Sequence, residues 1–188
     1  MYRIVGVVAD EQSINLGDAG RLAKLCDGLK ITFEERADGV HTLVGGRDLS
    51  WEIRTAEAGQ LASRVSAVPV VRERLVALQR EMGRGGGVVM EGRDIGTVVL
   101  PDADLKIFLV ASHEERARRR SADLEARGEA ADLEDIAREI AARDKRDQER
   151  SHSPLRAADD AVVLDTTADD VDTVLARIHD ILRLRANP

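Results

Sequence analysis

Arginines and aspartates recur at spacings that suit phosphate chemistry. The stretch Val88-Val89-Met90-Glu91-Gly92-Arg93-Asp94-Ile95-Gly96-Thr97 ends an apolar run in a charged pair flanked by glycines. Arg116, Arg119 and Arg120 lie at i, i+3 and i+4, and Arg143, Asp147 and Arg150 at i, i+4 and i+7, so each set shares one helix face. A guanidinium is planar, stays charged and meets phosphate oxygens bidentately. Taken singly, each helix would be a solvated face laced by ion pairs such as Arg143 with Asp147. Two such helices beside strand ends point to a polyphosphate site.

The elements that must position these residues alternate between helix and strand. Tyr2, Val5, Val8 and Ala9 form a helical stripe with no capping residue before it. A second helix spans 18–28, with Asp18 as N-cap and Cys26 on its apolar face. Residues 30–35 and 40–44 alternate about the turn Ala37-Asp38-Gly39, a β-hairpin. Helices follow over about 55–66 and from Pro69 to about 82. Residues 88–90 read as a buried parallel strand delivering Arg93 and Asp94 to its carboxyl end, where open α/β sheets bind ligands. Buried strands at 105–110 and 161–165 alternate with helices at 113–127, 133–150 and 170–183. The pattern predicts an α/β fold with a parallel sheet.

Bulk properties narrow the function. The chain has 188 residues, 43% hydrophobic and 34% charged, with a net charge of −7. That suits a globular domain and disfavours wholesale binding to nucleic acid or anionic membrane. Aromatics are 2% of the chain, leaving little stacking surface for an RNA-contacting module built on residues 116–120. One cysteine excludes an intrachain disulfide. No long apolar run or basic-then-apolar leader occurs, so a cytoplasmic protein is expected.

Six stretches carry a resemblance. They are Leu49-Ser50-Trp51-Glu52-Ile53-Arg54-Thr55, Ser63-Arg64-Val65-Ser66-Ala67-Val68-Pro69-Val70-Val71-Arg72, Glu91-Gly92-Arg93-Asp94-Ile95-Gly96-Thr97-Val98-Val99, Lys106-Ile107-Phe108-Leu109, Glu114-Glu115-Arg116-Ala117-Arg118-Arg119-Arg120 and Arg143-Asp144-Lys145-Arg146-Asp147-Gln148-Glu149-Arg150. The sequence resembles bacterial cytidylate kinase, a nucleoside monophosphate kinase of the P-loop class, over essentially its whole length. The resemblance implies a P-loop NTPase-like parallel sheet with helices on both faces and one domain over 1–188. Within it, 10–82 would hold the monophosphate-binding insert with its hairpin, and 112–150 an Arg-rich lid with flanking helices. It implies phosphoryl transfer from ATP with Mg²⁺ to CMP or dCMP, by a monomer with neither nucleic-acid nor membrane partners. Ser63, Arg72 and Asp94 would contact the base, and uracil would present an acceptor to Asp94 where cytosine presents an amino donor. Tyr2 and Arg3 match the end of the family's Gly-Ala-x-Tyr-Arg segment, whose arginine binds the monophosphate together with Arg93 and Arg150. Arg143 and Asp147 would contact the sugar. Arg116, Arg119 and Arg120 would close over the ATP phosphates.

One family element does not occur in these 188 residues. Transfer from ATP in this class uses Gly-x-x-x-x-Gly-Lys-[Ser/Thr] after the first strand. The cluster Gly83-Arg84-Gly85-Gly86-Gly87 precedes a strand and lacks Gly-Lys-Ser/Thr, and Leu16-Gly17-Asp18-Ala19-Gly20-Arg21 follows no strand. The family places its first strand, P-loop, first helix and second strand upstream of the Tyr-Arg pair, on the order of 30–40 residues. The expectation is that Met1 is an internal methionine, that the first and second core strands lie outside this chain, and that the chain by itself turns over little or not at all. A CMP-binding remnant without phosphoryl transfer is the alternative.

Overall fold

The computed structural model describes residues 1–126, 128, 132–149 and 154–186. The chain divides between Gly87 and Val88 into two compact units.

The first unit is built on helix α1, Tyr2–Glu11. The expected stripe includes Val5 and Ala9; burial also takes in Ile4 and Gly6, because two sides of the helix are covered. On one side Val5 and Ala9 pack with Leu22 and Cys26 of α2 (Ala19–Gly28), with Val65 of α3 (Ala56–Val65), and with Val71 and Leu75 of α4 (Pro69–Gly83). On the other, Ile4 packs with Ile31 and Leu49. Asp18 caps α2 by accepting from the Arg21 amide at 2.9 Å, and Thr55 caps α3 by accepting from the Ala58 amide at 3.1 Å. A 3₁₀ turn, Glu52–Arg54, precedes α3.

At Gly6 the approach of α3 is close. An added Cβ would lie 2.7 Å from the Leu61 Cβ and 3.0 Å from its backbone carbonyl carbon. Backbone of a packed helix cannot swing aside as a flexible side chain can. Gly6→Ala is therefore expected to lose stability: overpacking costs about 1–3 kcal/mol, against roughly 1 kcal/mol gained in helix propensity. Gly6→Val should lose more. Urea unfolding of both variants checks the order.

The hairpin forms as the alternation predicts. Strands β1 (Ile31–Arg36) and β2 (Gly39–Val44) pair antiparallel, Ile31 opposite Val44 and Arg36 opposite Gly39. A short third strand, β3 (Arg47–Asp48), adds to β2 across Gly45-Gly46. Both glycines have positive φ, +58° and +85°, as a two-residue type I′ turn requires.

In the second unit, β4 (Ile107–Val110) and β5 (Val162–Asp165) pair in parallel, Ile107 opposite Val162 and Val110 opposite Asp165. Helices α5 (His113–Glu125) and α6 (Leu133–Gln148) lie between them in sequence and join through Ala117, Leu124 and Ile136. Ser112 caps α5 and Asp132 caps α6. Helix α7, Val171–Ala186, closes the unit. The chain is thus mixed α/β with a small parallel sheet, two-stranded among the described residues.

Two expectations are corrected here. Residues 88–90 are not a buried strand: they form no ladder, and Val88 and Val89 are 45% and 102% exposed. A β-branched apolar run becomes a strand only where its backbone groups find a partner, and none pairs with it among the described residues. Nor are β4 and β5 covered on both faces, since Leu109 and Val163 remain more than half exposed. Among the described residues, no helix is long and apolar enough to cross a membrane.

Candidate functional site

Each unit carries its own group of candidate residues. In the first, the α3–α4 corner gathers Tyr2, Ser63 and Arg72. Val68 is extended and Pro69 starts α4 with a preset φ, so α4 leaves the corner at once and Arg72 falls in its first turn. Arg72 is 9% exposed. Its Nη1 donates to the Ser66 carbonyl at 3.4 Å, and its guanidinium carbon stands 5.8 Å from the Tyr2 ring centroid, within cation–π range. The Ser66 hydroxyl donates to the Ser63 carbonyl at 2.9 Å, so Ser63 joins the corner through its backbone. Arg3 is held separately: its Nη1 donates to the carbonyls of Ile53 and Thr55 at 2.7 and 3.1 Å. Its guanidinium lies against Gly59, where an added Cβ would come within 3.5 Å.

In the second unit, the Gly92-Arg93-Asp94 bend runs into a single π-helical turn, Ile95–Val99. Space is tight at Gly92: a Cβ there would meet the Ile95 side chain at 2.8 Å, and that side chain would have to shift. Asp94 is buried, and its carbonyl accepts from the amides of Val98 and Val99 at 2.9 and 3.3 Å and from the Thr97 hydroxyl at 3.4 Å. That turn fixes the backbone of the Arg93-Asp94 pair.

Asp147 organises the cations around it. It is 2% exposed, and its Oδ2 lies 3.5 Å from the Arg93 Nε and 3.9 Å from the Arg143 Nε. The i,i+4 face of α6 thus forms as its spacing predicts, and it also receives Arg93. One turn earlier, buried Asp144 takes Arg116 at 2.6 Å and has the His113 Nε2 at 3.4 Å. Burial pushes the Asp144 carboxyl up; the Arg116 hydrogen bond and the charges of Arg116, Arg93 and His113 outweigh it and leave the pKa below the ordinary carboxylate value.

The three helix α5 arginines do not act as one group. Arg116 is held by Asp144. Arg119 turns to the strand ends, donating to the Thr166 hydroxyl at 3.2 Å, to the Thr166 carbonyl, and to the Asp169 carbonyl at 3.0 Å. It also shares Glu115 with Arg118, and these two bonds pull the Glu115 carboxyl down to about 2. Arg120 is half-buried and makes no hydrogen bond or ion pair with the described residues. Arg150 lies outside the described residues.

Sequence reading missed Ser66, Asp144, His113 and Thr166. Asp144 had a signal, since it neighbours Arg143 and precedes Asp147 by three. Thr166 had none, because its partner on α5 is 47 residues away.

Among the described residues, no cluster of His, Cys, Asp and Glu could hold a metal ion. The two buried carboxylates of α6 already face guanidinium groups, so they are not a Mg²⁺ cradle. What the arrangement offers is fixed cations: arginine forks held by buried carboxylates, suited to phosphate and to hydroxyl groups.

Comparison with known proteins follows the same lines. The family model for cytidylate kinase matches residues 1–184. The cytidylate kinase of Geobacter sp. (strain M21) is 49% identical over 185 residues, covering 98% of this chain and 79% of that protein. That of Lactobacillus johnsonii is 44% identical over 183 residues, covering 97% and 80%. That of Geobacillus sp. (strain WCH70) is 45% identical over 185 residues, covering 98% and 83%. The chain belongs to the cytidylate kinase family, and by that membership it is a kinase, a nucleotide-binding transferase of pyrimidine metabolism.

Proposed function

We propose that this chain carries the acceptor side of phosphoryl transfer from ATP to CMP or dCMP, giving ADP and the corresponding diphosphate. The observation that supports it most is the single buried carboxylate of Asp147 facing both Arg93 and Arg143. Phosphoryl transfer asks a protein mainly for positioning and for charge at the phosphoryl oxygens. Guanidinium groups held in place beforehand supply both.

In this reading, which rests on the family resemblance, Ser63, Arg72 and Asp94 are assigned to the base, with Tyr2 against Arg72. Arg3, Arg93 and Arg150 take the monophosphate, and Arg143 and Asp147 the sugar. Arg116, Arg119 and Arg120 belong to the lid region, 112–150, and 10–82 to the monophosphate-binding insert of one family domain. By family, the donor is ATP with Mg²⁺; the metal neutralises phosphate charge when bound, and no residue described here is assigned to it. The enzyme is read as a cytoplasmic monomer without nucleic-acid or membrane partners.

A second reading rests on a specific observation: Gly-x-x-x-x-Gly-Lys-[Ser/Thr] does not occur in these residues. The chain by itself would then bind CMP without transfer. Calorimetry with CMP, dCMP, UMP and ATP, together with coupled ADP release, tests both. CMP and dCMP should bind, and UMP should bind about tenfold or more weakly, because its carbonyl would face the Asp94 carboxylate. Under the second reading, ADP release stays at background. Absence of CMP binding sinks the acceptor-site proposal. Turnover by the 188-residue chain at an ordinary kinase rate, about 1–100 s⁻¹, sinks the second reading.

A further inference from the structure

His41 sits on β2 opposite Glu34 of β1 and is none of the candidate site residues. Both its ring nitrogens face carboxylates: Nδ1 is 2.6 Å from the Asp48 Oδ2 on β3, and Nε2 is 2.9 Å from the Asp38 Oδ1 in the turn. A neutral imidazole has one N–H, whereas an ionised carboxylate can only accept. Both bonds therefore exist together only in the imidazolium. We propose that His41 is a proton-held clasp: charged, it ties the hairpin turn to β3, and on losing its proton it lets go of Asp38 and keeps Asp48.

Which bond breaks follows from the surroundings. Asp48 is held from three directions. Its Oδ1 accepts from the Ser50 amide at 2.9 Å, and its Oδ2 accepts from the Arg36 Nη1 at 3.1 Å as well as from His41. The bonds from Ser50 first, and then that from His41, keep its carboxyl well below the usual range. Were Nδ1 to lose its proton, a lone pair would face a fixed carboxylate oxygen at 2.6 Å. Asp38 is different. Its side chain is 73% exposed, and it can rotate into water when Nε2 becomes a lone pair. The proton that leaves is therefore the Nε2 proton, taken up by solvent. The neutral ring keeps Nδ1–H, donating to Asp48.

The other charges nearby do not reverse this. Arg36 of β1 could donate from Nη1 to Nδ1 at 3.3 Å only if that nitrogen were a lone pair. The same Nη1 donates to Asp48 at 3.1 Å, and the 2.6 Å contact of Nδ1 with Asp48 is the shorter one and needs the proton. The Arg36 Nη2 donates to Glu34 at 2.8 Å. Arg47 of β3 is engaged by Glu11 at 2.8 Å and by Glu52 at 3.4 Å. The bonds to Asp48 and then Asp38 raise the His41 pKa above the imidazole value of about 6.5. A raised pKa stabilises the folded hairpin fully below the unfolded value, and that stabilisation is lost as pH rises through the folded one.

The test is long-range ¹⁵N–¹H correlation of the imidazoles across pH, on the full chain. The His41 midpoint should lie above that of an ordinary histidine, and the basic limb should show the Nδ1–H tautomer. Asp38→Asn should lower the midpoint and Asp48→Asn should lower it further, by about 1 pH unit. Amide exchange at residues 37–39 should speed up above the midpoint in the native sequence and show no such step in His41→Gln. Asp38→Asn alters an exposed tip and keeps the fold, so the test does not depend on the Asp48 variant. An Nε2–H tautomer in the basic limb, or a midpoint unmoved by Asp38→Asn, overturns the proposal.

Discussion

Asp147→Ala is expected to weaken CMP binding by about 10- to 100-fold, equivalent to roughly 1.4–2.7 kcal/mol. The carboxylate faces Arg93 at 3.5 Å and Arg143 at 3.9 Å from within a 2% exposed position. Removing it leaves two like charges drawn to one point without the anion that holds them there. The forks then spread, and the pose that phosphate and sugar require is lost. Stability should fall too. Breaking a buried ion pair costs about 3–5 kcal/mol, but both arginines are more than a third exposed and water screens them, so about 1–2 kcal/mol is the better figure. Asp147→Asn separates charge from shape, because it leaves the side-chain volume and the backbone bond from the Leu155 amide in place. Calorimetry and urea unfolding read the two effects. CMP affinity in Asp147→Ala equal to that of the native chain would rule out the carboxylate as the organiser of these arginines.

Much of the local structure was legible because its causes are local. Asp18, Thr55 and Ser112 each follow a loop and accept an amide from the first helical turn, so capping chemistry locates the helix starts. The Arg143–Asp147 spacing forms a pair because a helix brings i and i+4 together, whatever surrounds it. The hairpin itself was legible from two runs about the turn Ala37-Asp38-Gly39, but its register was not: Arg36 pairs with Gly39 across a two-residue loop.

Residues 88–90 show where local reasoning stops. Valine and methionine in a row suit a buried strand, yet strand formation depends on a ladder partner elsewhere. The α5 arginines show the same limit from the side of the site. Helical spacing places Arg116, Arg119 and Arg120 near one another, but what each guanidinium does depends on α6 for Arg116 and on the end of β5 for Arg119. Those partners lie 28 and 47 residues downstream, out of reach of any pattern within the helix.

Arg72→Ala should have the largest effect on binding in the first unit, a loss in CMP affinity of about 100-fold, or 2.7 kcal/mol. Arg72 is nearly buried, and its environment specifies a guanidinium, not merely a cation. The Tyr2 ring lies within cation–π distance, and the Ser66 carbonyl accepts from Nη1. A planar fork fixed on an aromatic face and a carbonyl can meet the edge of a base in only one geometry. Arg72→Lys keeps the charge and loses that plane, so it should recover little of the binding. A lysine variant that binds CMP as the native chain does would show that only charge is used. The Tyr2 contribution can be isolated by a double-mutant cycle with Tyr2→Ala, where a coupling of about 0.5–1 kcal/mol is expected. Tyr2→Phe keeps the ring face and should preserve most of that coupling. If the coupling vanishes while Arg72→Ala still loses affinity, Tyr2 does not position Arg72, and the α3–α4 corner by itself sets the pose.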